Sequence, residues 1–236
     1  FTDLINGVYA VVRKDELYNT AMGRQALWAN TAGIQNTASG DIALYSNTAG
    51  NYNTANGVQA LYTNVTGTSN TAIGFQTLFS NTTGNSNTAS GDAALFQNTT
   101  GDNNTASGRN ALYSNITGVL NTAVGYSALF SNTSGNSNTA VGREALYLST
   151  STYNTAVGST ALRANTIGQE NVAVGSGALA ANISGDYNAA HGTAAMQANT
   201  LGSNNTAIGT LALKSNVSGD GNIAIGYQAD VGSPDL

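Results

Sequence analysis

A glycine recurs every seventeen residues along most of the chain, and this period limits the fold more than any other feature. Ten of the thirteen glycines close an Asn-Thr-Ala-x-Gly run, the other three close the same run with another residue in place of Thr, and an Ala-Leu pair usually follows at a fixed distance. The glycines are Gly23, Gly40, Gly57, Gly74, Gly91, Gly108, Gly125, Gly142, Gly158, Gly175, Gly192, Gly209 and Gly226. Only the step from Gly142 to Gly158 is one residue short. Repeats of this kind contact mainly their neighbours, so the period predicts a solenoid of about thirteen coils.

The length of the repeat indicates strands. Seventeen residues at about 3.3 Å each give a perimeter of at most about 55 Å, which accommodates two short strands and their turns. The Asn-Thr-Ala-x-Gly run alternates, so Ala faces one side and Thr and x face the other. The alanine row, from Ala21 to Ala224, has no exception and predicts a narrow interior. A second strand is expected to carry the leucine row, from Leu27 to Leu213, against it. The predicted fold class is an all-β parallel β-solenoid.

The segment between the two predicted strands has the composition of a turn. Asn can bond its own backbone there, and Gly can supply a positive φ. Coils in a stack lie about 4.8 Å apart, so the asparagines of successive coils are expected to form hydrogen-bonded ladders. Residues 1–16 lack the repeat and are expected to cap or lead into the stack. The repeat domain is assigned to 17–232, and 233–236 to the start of a following segment of a longer protein.

The composition argues against several functions. Only 8% of the residues are charged, the net charge is −5, and no cysteine is present. A nucleic-acid partner is not expected, because a phosphate track needs clustered Lys and Arg. Membrane insertion is not expected either, because no run approaches the ~20 apolar residues of a spanning helix. The low content of large aliphatic residues predicts a core too thin for one chain, so the expected partner is a second and third copy.

The repeat resembles two known patterns. The block from Asn205 to Leu213 is similar to the head repeats of trimeric autotransporter adhesins of the YadA-like type. Longer Asn-Thr-Ala-x-Gly-x-x-Ala-Leu-x-x-Asn-Thr-Thr-Gly arrays resemble those of phage tail-fibre proteins. The resemblance covers about residues 17 to 229 and implies a left-handed parallel β-roll, three chains side by side, and an adhesive or spacer role. The implied location is extracellular, at a cell surface or on a virion. Adhesin heads use a shorter unit, and no catalytic residue or cofactor comes with the resemblance.

The residue x of the run forms an outer row whose character changes along the chain. It reads Met22, Ser39, Asn56, Ile73, Ser90, Ser107, Val124, Val141, Val157, Val174, His191, Ile208 and Ile225. An exposed row of Val and Ile would be an unusual apolar patch. A three-fold axis explains both halves, since valines would pack in layers and Ser or Asn would form polar layers. The alternative is some other surface or neighbour contact.

His191 is the only histidine and the one candidate metal residue. If the outer row faces a three-fold axis, three imidazoles converge there and can hold a metal ion or an anion. The alternative is a further polar layer or a solvated histidine.

An aromatic row follows the leucines and is the candidate contact surface. Its members are Trp28, Tyr45, Tyr62, Phe79, Phe96, Tyr113, Phe130 and Tyr147. Rings in neighbouring coils are spaced for offset stacking, and they should point outward because the leucines point inward. Two interpretations remain open: contact between protomers, or a platform for a glycan or a host-surface protein.

Opposite charges recur at the same phase of adjacent coils. Arg24 precedes Asp41 by one repeat, and Asp92 precedes Arg109 by one repeat. We expect both pairs to meet as ion pairs on the surface.

The leading interpretation is a non-enzymatic structural or adhesive fibre segment. An ice-binding solenoid is one alternative, suggested by the threonine row that begins at Thr20, although this row breaks at Val172. A tailspike-like glycan hydrolase is another, but it needs two paired carboxylates, and the twelve acidic residues are scattered. One histidine and no cysteine give no support to a nucleophile–base triad.

Overall fold

The computed structural model describes the backbone of residues 2–5, 8–14 and 17–230, and the side chains of 17–230. The chain divides into two compact units, Phe1–Leu120 (unit 1) and Asn121–Leu236 (unit 2). The predicted following segment, 233–236, lies outside the described residues, as do the last two residues of the predicted repeat domain. The assignment of 1–16 as a cap or lead-in falls partly outside them.

Unit 1 begins with an antiparallel hairpin and continues as parallel strands in register. The hairpin strands are β1 (Thr2–Ile5) and β2 (Val8–Lys14), and β2 also pairs antiparallel with β3. The parallel strands are β3 (Thr20–Met22), β4 (Thr37–Ser39), β5 (Thr54–Asn56), β6 (Thr71–Ile73), β7 (Thr88–Ser90) and β8 (Thr105–Ser107). Each residue of these strands pairs with the residue seventeen positions later, so one repeat makes one coil.

Unit 2 repeats this parallel arrangement. Its strands are β9 (Thr122–Val124), β10 (Thr139–Val141), β11 (Thr155–Val157), β12 (Val172–Val174), β13 (Ala189–His191), β14 (Thr206–Ile208) and β15 (Ile223–Ile225). The register is seventeen residues except between β10 and β11, where it is sixteen. The described residues contain no helix. The predicted fold class, an all-β parallel β-solenoid with 17-residue coils, is confirmed, whereas handedness and trimeric assembly stay predictions.

The interior is closed by the side chains of a single chain. In the alanine row Ala72 and Ala123 have no solvent-accessible surface, and in the leucine row Leu44 and Leu129 have none either. The predicted narrow interior is therefore confirmed. Buried asparagines share this interior with the alanines and leucines, and the expectation that the core is too thin for one chain stays a prediction.

Each coil holds one strand, and the prediction of a second strand for the leucine row is wrong. Ile42 and Leu44 both have a φ of 49°, and a positive φ is incompatible with extended backbone. The segment is a series of turns whose N–H groups still bond the next coil, as Leu44 N–H does to the Ala60 carbonyl at 2.9 Å. A left-handed residue costs about 1–2 kcal/mol, which the burial of a leucine side chain, worth about 1.5–3 kcal/mol, offsets.

The glycines of the turns, such as Gly50, let neighbouring atoms approach the backbone closely. The prediction that they have a positive φ is wrong. A Cβ on Gly50 would collide with the Oδ1 of Asn47 and the carbonyl oxygen of Gly67. The positive φ of this turn falls on Tyr52, at 58°. Glycine is required here because the Asn side chain lies directly against the backbone.

Two columns of buried asparagines confirm the predicted ladders. In the column next to the strands, Asn53 donates through Nδ2 to Asn36 Oδ1 at 3.1 Å and to the Gly67 carbonyl at 2.8 Å. In the column next to the turns, Asn64 donates through Nδ2 to Asn47 Oδ1 at 2.8 Å and to the same Gly67 carbonyl at 3.0 Å. Each amide thus satisfies a backbone carbonyl and joins two coils, which makes the polar interior stable.

The short coil of unit 2 interrupts the second column. Ser149 occupies the asparagine position, and Ser151 takes the place of the turn glycine. The two hydroxyls lie 3.0 Å apart, and Ser151 donates to the Gly168 carbonyl at 2.7 Å. Asn165 donates to Ser151 Oγ at 3.2 Å. Two small hydroxyls therefore replace one amide where the loop is one residue shorter.

Candidate functional site

From Tyr45 to Tyr113 the aromatic row forms a continuous stack of rings in unit 1. Tyr45 and Tyr62 have their centroids 5.3 Å apart, and Tyr62 and Phe79 have theirs 5.1 Å apart. Phe96 stacks on Phe79 at 5.1 Å and on Tyr113 at 5.1 Å, and interplanar angles through the stack are between 3° and 11°. The predicted stacking is confirmed. Because each inner ring is covered on both faces by its neighbours, a ligand can reach mainly the ring edges.

Unit 2 holds the last two rings of the row and a cationic cap. Phe130 and Tyr147 stack at 5.2 Å, and the Arg163 guanidinium lies 5.4 Å from the Tyr147 centroid. Arg163 donates through Nε to Glu144 Oε2 at 2.8 Å, and this hydrogen bond holds the pKa of the Glu144 carboxyl below its usual value against a small desolvation by burial. The nearby charge of Arg143 acts in the same direction. The sequence analysis missed this pair because its members are nineteen residues apart.

Trp28 is 56% exposed, whereas the later members of the aromatic row are half-buried. Both interpretations of this row, a contact between protomers and a platform for a glycan or protein, stay predictions. A sugar face needs an uncovered ring face. In unit 1 such a face is available more readily at Trp28 than at the rings inside the stack.

The two predicted ion pairs are confirmed. Arg24 donates to both oxygens of Asp41, at 2.9 and 2.8 Å, and this hydrogen bonding lowers the pKa of the Asp41 carboxyl. Arg109 Nε lies 3.5 Å from Asp92 Oδ2. Both pairs are exposed and screened by solvent, so they contribute little to stability. Each of the two carboxylates is paired with an arginine.

The outer row differs between the two units. In unit 1 it is mainly polar, with Ile73 exposed at 46%. In unit 2 it presents valines and isoleucines, among them Val157 at 36% and Ile208 at 45% exposed. No charged residue lies in the outward positions of β9–β15. The x positions of unit 2 therefore form a mainly apolar row on a single chain, with His191 as its one polar member, and threonines hold the other outward position in four of these strands.

His191 lies within this mainly apolar row. It is exposed, and its strand neighbours in register are Val174 and Ile208. Among residues 17–230, whose side chains are described, no three metal-ligating side chains come together in one chain. A metal or anion site at His191 would thus need imidazoles from other copies, and it stays a prediction.

A row of exposed side chains, which the sequence did not lead us to expect, lies immediately before the asparagines of the column next to the strands. We name it the corner row. Its members include Tyr18, Gln35 and Tyr52 in unit 1 and Tyr153, Glu170 and Tyr187 in unit 2. Every one of these residues is exposed and has a φ between 53° and 61°. The recurring Tyr-Asn dipeptide is the signal that would have revealed this row.

The part of the chain that the structure describes has no helix of the length and apolar character needed to cross a bilayer. No protein-family model matches the sequence, and a search of curated proteins finds no match.

Proposed function

We propose that the chain is a non-enzymatic structural and adhesive segment of an extracellular or virion fibre, which holds a surface-binding element at a distance or binds a surface itself. Three copies side by side form this fibre, and a host-surface protein or glycan is its external partner. The segment takes no cofactor and inserts into no membrane.

The observation that carries the proposal is the mainly apolar outer row of unit 2. Val124, Val157 and Ile208 are 39%, 36% and 45% exposed although the interior of the chain is already closed. An exposed apolar row of this kind lowers the solubility of a protein unless another surface covers it. Copies aligned in parallel and in register would bring like residues together in every coil, which is the arrangement that closed three-fold symmetry generates.

The aromatic row supports the structural part of the proposal. Its rings are stacked on one another within the chain, and the buried amide columns use their hydrogen-bonding groups between coils. Most of the distinctive residues thus stabilise a regular stack, which suits a spacer.

Sedimentation equilibrium of the purified chain tests the assembly, with an expected mass of three times the 23.8 kDa of one chain. Val157→Glu should dissociate the trimer, because three carboxylates would meet on the axis. Gln197→Glu, at an exposed position of unit 2 outside the outer row, is the matched control and should still assemble as a trimer. A folded monomer for the parent chain would refute the trimer, and equal masses for both variants would refute the assigned face.

An ice-binding solenoid is the second candidate, and the outward threonines favour it. Thr54, Thr71 and Thr88 occupy the same outward position on neighbouring parallel strands in register. A flat, regular array of hydroxyl and methyl groups is a surface on which ordered water can be matched. Thermal hysteresis of the purified chain tests this candidate, and its absence would exclude it.

A further inference from the structure

We infer that the corner row of unit 2 binds a quaternary ammonium group between Tyr153 and Tyr187, above Glu170. This inference rests on the proposed attachment role, for which it supplies the chemistry of the bound surface.

The three residues share one backbone conformation, from which their side chains are expected to project in the same direction. Tyr153, Glu170 and Tyr187 are successive members of the row, separated by seventeen residues each. Their φ angles are 61°, 53° and 57°, so the three residues share one left-handed conformation. In a regular stack, the same position in two successive coils differs mainly by one coil spacing. Glu170 lies in the coil between those of Tyr153 and Tyr187, so the two tyrosines flank it.

The spacing suits a cation. Coils lie about 4.8 Å apart, so a group midway between the two tyrosines is about 5 Å from each ring. A cation is attracted to an aromatic face within about 6 Å of its centroid. Tyr153 and Tyr187 are 60% and 56% exposed, so in contrast to the stacked aromatic row their ring faces are open.

The charge around the slot also favours a cation. Glu170 is exposed, and its carboxylate has no hydrogen-bond or ion-pair partner among residues 17–230. A second carboxylate lies nearby. Asp186, the residue before Tyr187, accepts the backbone N–H of Gln169, the residue before Glu170, at 2.7 Å. No Lys or Arg occupies the corner row of unit 2.

The slot favours a quaternary ammonium over a primary one. Two aromatic faces and one carboxylate offer few hydrogen-bond acceptors, whereas a lysine ammonium is strongly hydrated and needs acceptors in place of its water. A trimethylammonium group makes no hydrogen bonds and loses little on leaving water, which is why aromatic cages select it.

Unit 1 contains an internal comparison. Tyr18 and Tyr52 are 74% and 55% exposed and flank Gln35, so the two rings recur there without the charge. Ile34 and Asn51, the residues immediately before Gln35 and Tyr52 in the sequence, are also uncharged. The unit 1 slot should therefore bind the same cation more weakly.

Titration of the purified full chain with choline chloride, followed by NMR of the tyrosine ring protons, tests the inference. We expect saturable shifts for Tyr153 and Tyr187, and none with 3,3-dimethylbutan-1-ol, the neutral analogue of choline. Glu170→Gln and Tyr187→Ala should each weaken binding about fivefold. Tyr126→Ala removes an exposed tyrosine outside the row and should leave the affinity unchanged.

Gln35→Glu in the Glu170→Gln background should move binding to Tyr18 and Tyr52, a gain that general destabilisation cannot produce. Phosphocholine-containing vesicles and a trimethyllysine peptide then distinguish a lipid headgroup from a modified protein as the source of the cation. Equal binding of choline and its neutral analogue, or an affinity unchanged by Glu170→Gln and Tyr187→Ala, would overturn the inference. A parent chain that assembles as a trimer but binds no choline would refute the cation site and leave the proposed fibre role intact.

Discussion

Two glycines of unit 2, only two residues apart, should respond very differently to the same substitution. Gly175 has a φ of 136°, and a Cβ there would meet the carbonyl carbon of Gly192 at 2.5 Å and the Thr193 nitrogen at 2.9 Å, besides the Gly192 oxygen. These are backbone atoms of the next coil, so no side chain can rotate away. Gly177 has a φ of 67°, and the nearest atom to its Cβ would be Gln197 Nε2 at 3.9 Å.

The expected costs follow from these contacts. Gly175→Ala combines a left-handed strain of about 1–2 kcal/mol with an overpacking cost of about 1–3 kcal/mol, so we expect a loss of about 2–5 kcal/mol. Gly177→Ala carries only the strain, and the reduced entropy of the unfolded chain offsets about 0.4–1 kcal/mol of it. Its expected net change is within about 1 kcal/mol.

Thermal unfolding followed by circular dichroism measures both variants. At about 2–4 °C per kcal/mol for a chain of this size, Gly175→Ala should lower the Tm by about 10 °C. Gly177→Ala should lower it by no more than about 4 °C. Equal shifts for the two variants would show that the coil-to-coil contact at Gly175 is not the source of the cost.

The remaining predictions concern the interior and the charged cap. Asn87→Ala should cost about 2–4 kcal/mol in the free energy of guanidinium unfolding, because it removes the acceptor of the buried Asn104 backbone N–H and one of the two amide donors to the Gly101 carbonyl. Ala123→Leu should overfill the interior and cost about 1–3 kcal/mol, and an unchanged Tm would place this residue outside the core. Glu144 has a lowered pKa when folded, so its contribution is complete above its ordinary value of 4.5 and is lost as the pH falls through the folded value. Glu144→Gln should therefore flatten the acid side of the stability profile relative to the parent, and parallel profiles would contradict the bond to Arg163.

The sequence predicted the features that depend on repetition. The seventeen-residue period gave the parallel register, the alanine row, the buried leucines, the stacked aromatic row and both exposed ion pairs. Each of these follows from placing the same position of the repeat one coil apart, as at Arg24 and Asp41. The asparagine ladders were predictable for the same reason.

The features that depend on local backbone conformation could not be predicted. Leucine is rarely left-handed, so the φ of 49° at Leu44 has no signal in the residue itself. The need for Gly50 arises from an asparagine three residues earlier that folds back against the chain. The bond between Glu144 and Arg163 joins residues at different phases of the repeat, and a search for matching phases misses it.

The one short coil shows what the fold requires when its length changes. The loss of a residue between Gly142 and Gly158 occurs together with two serines, Ser149 and Ser151, whose hydroxyls replace the missing amide contacts. Removal of a complete coil would need no such replacement, because each amide would meet an identical neighbour. Genetic gain or loss of whole repeats would therefore change the length of the coil stack in steps of about 4.8 Å. Insertions or deletions of other lengths would persist only with compensating substitutions, so length polymorphism among natural variants should occur in multiples of seventeen residues.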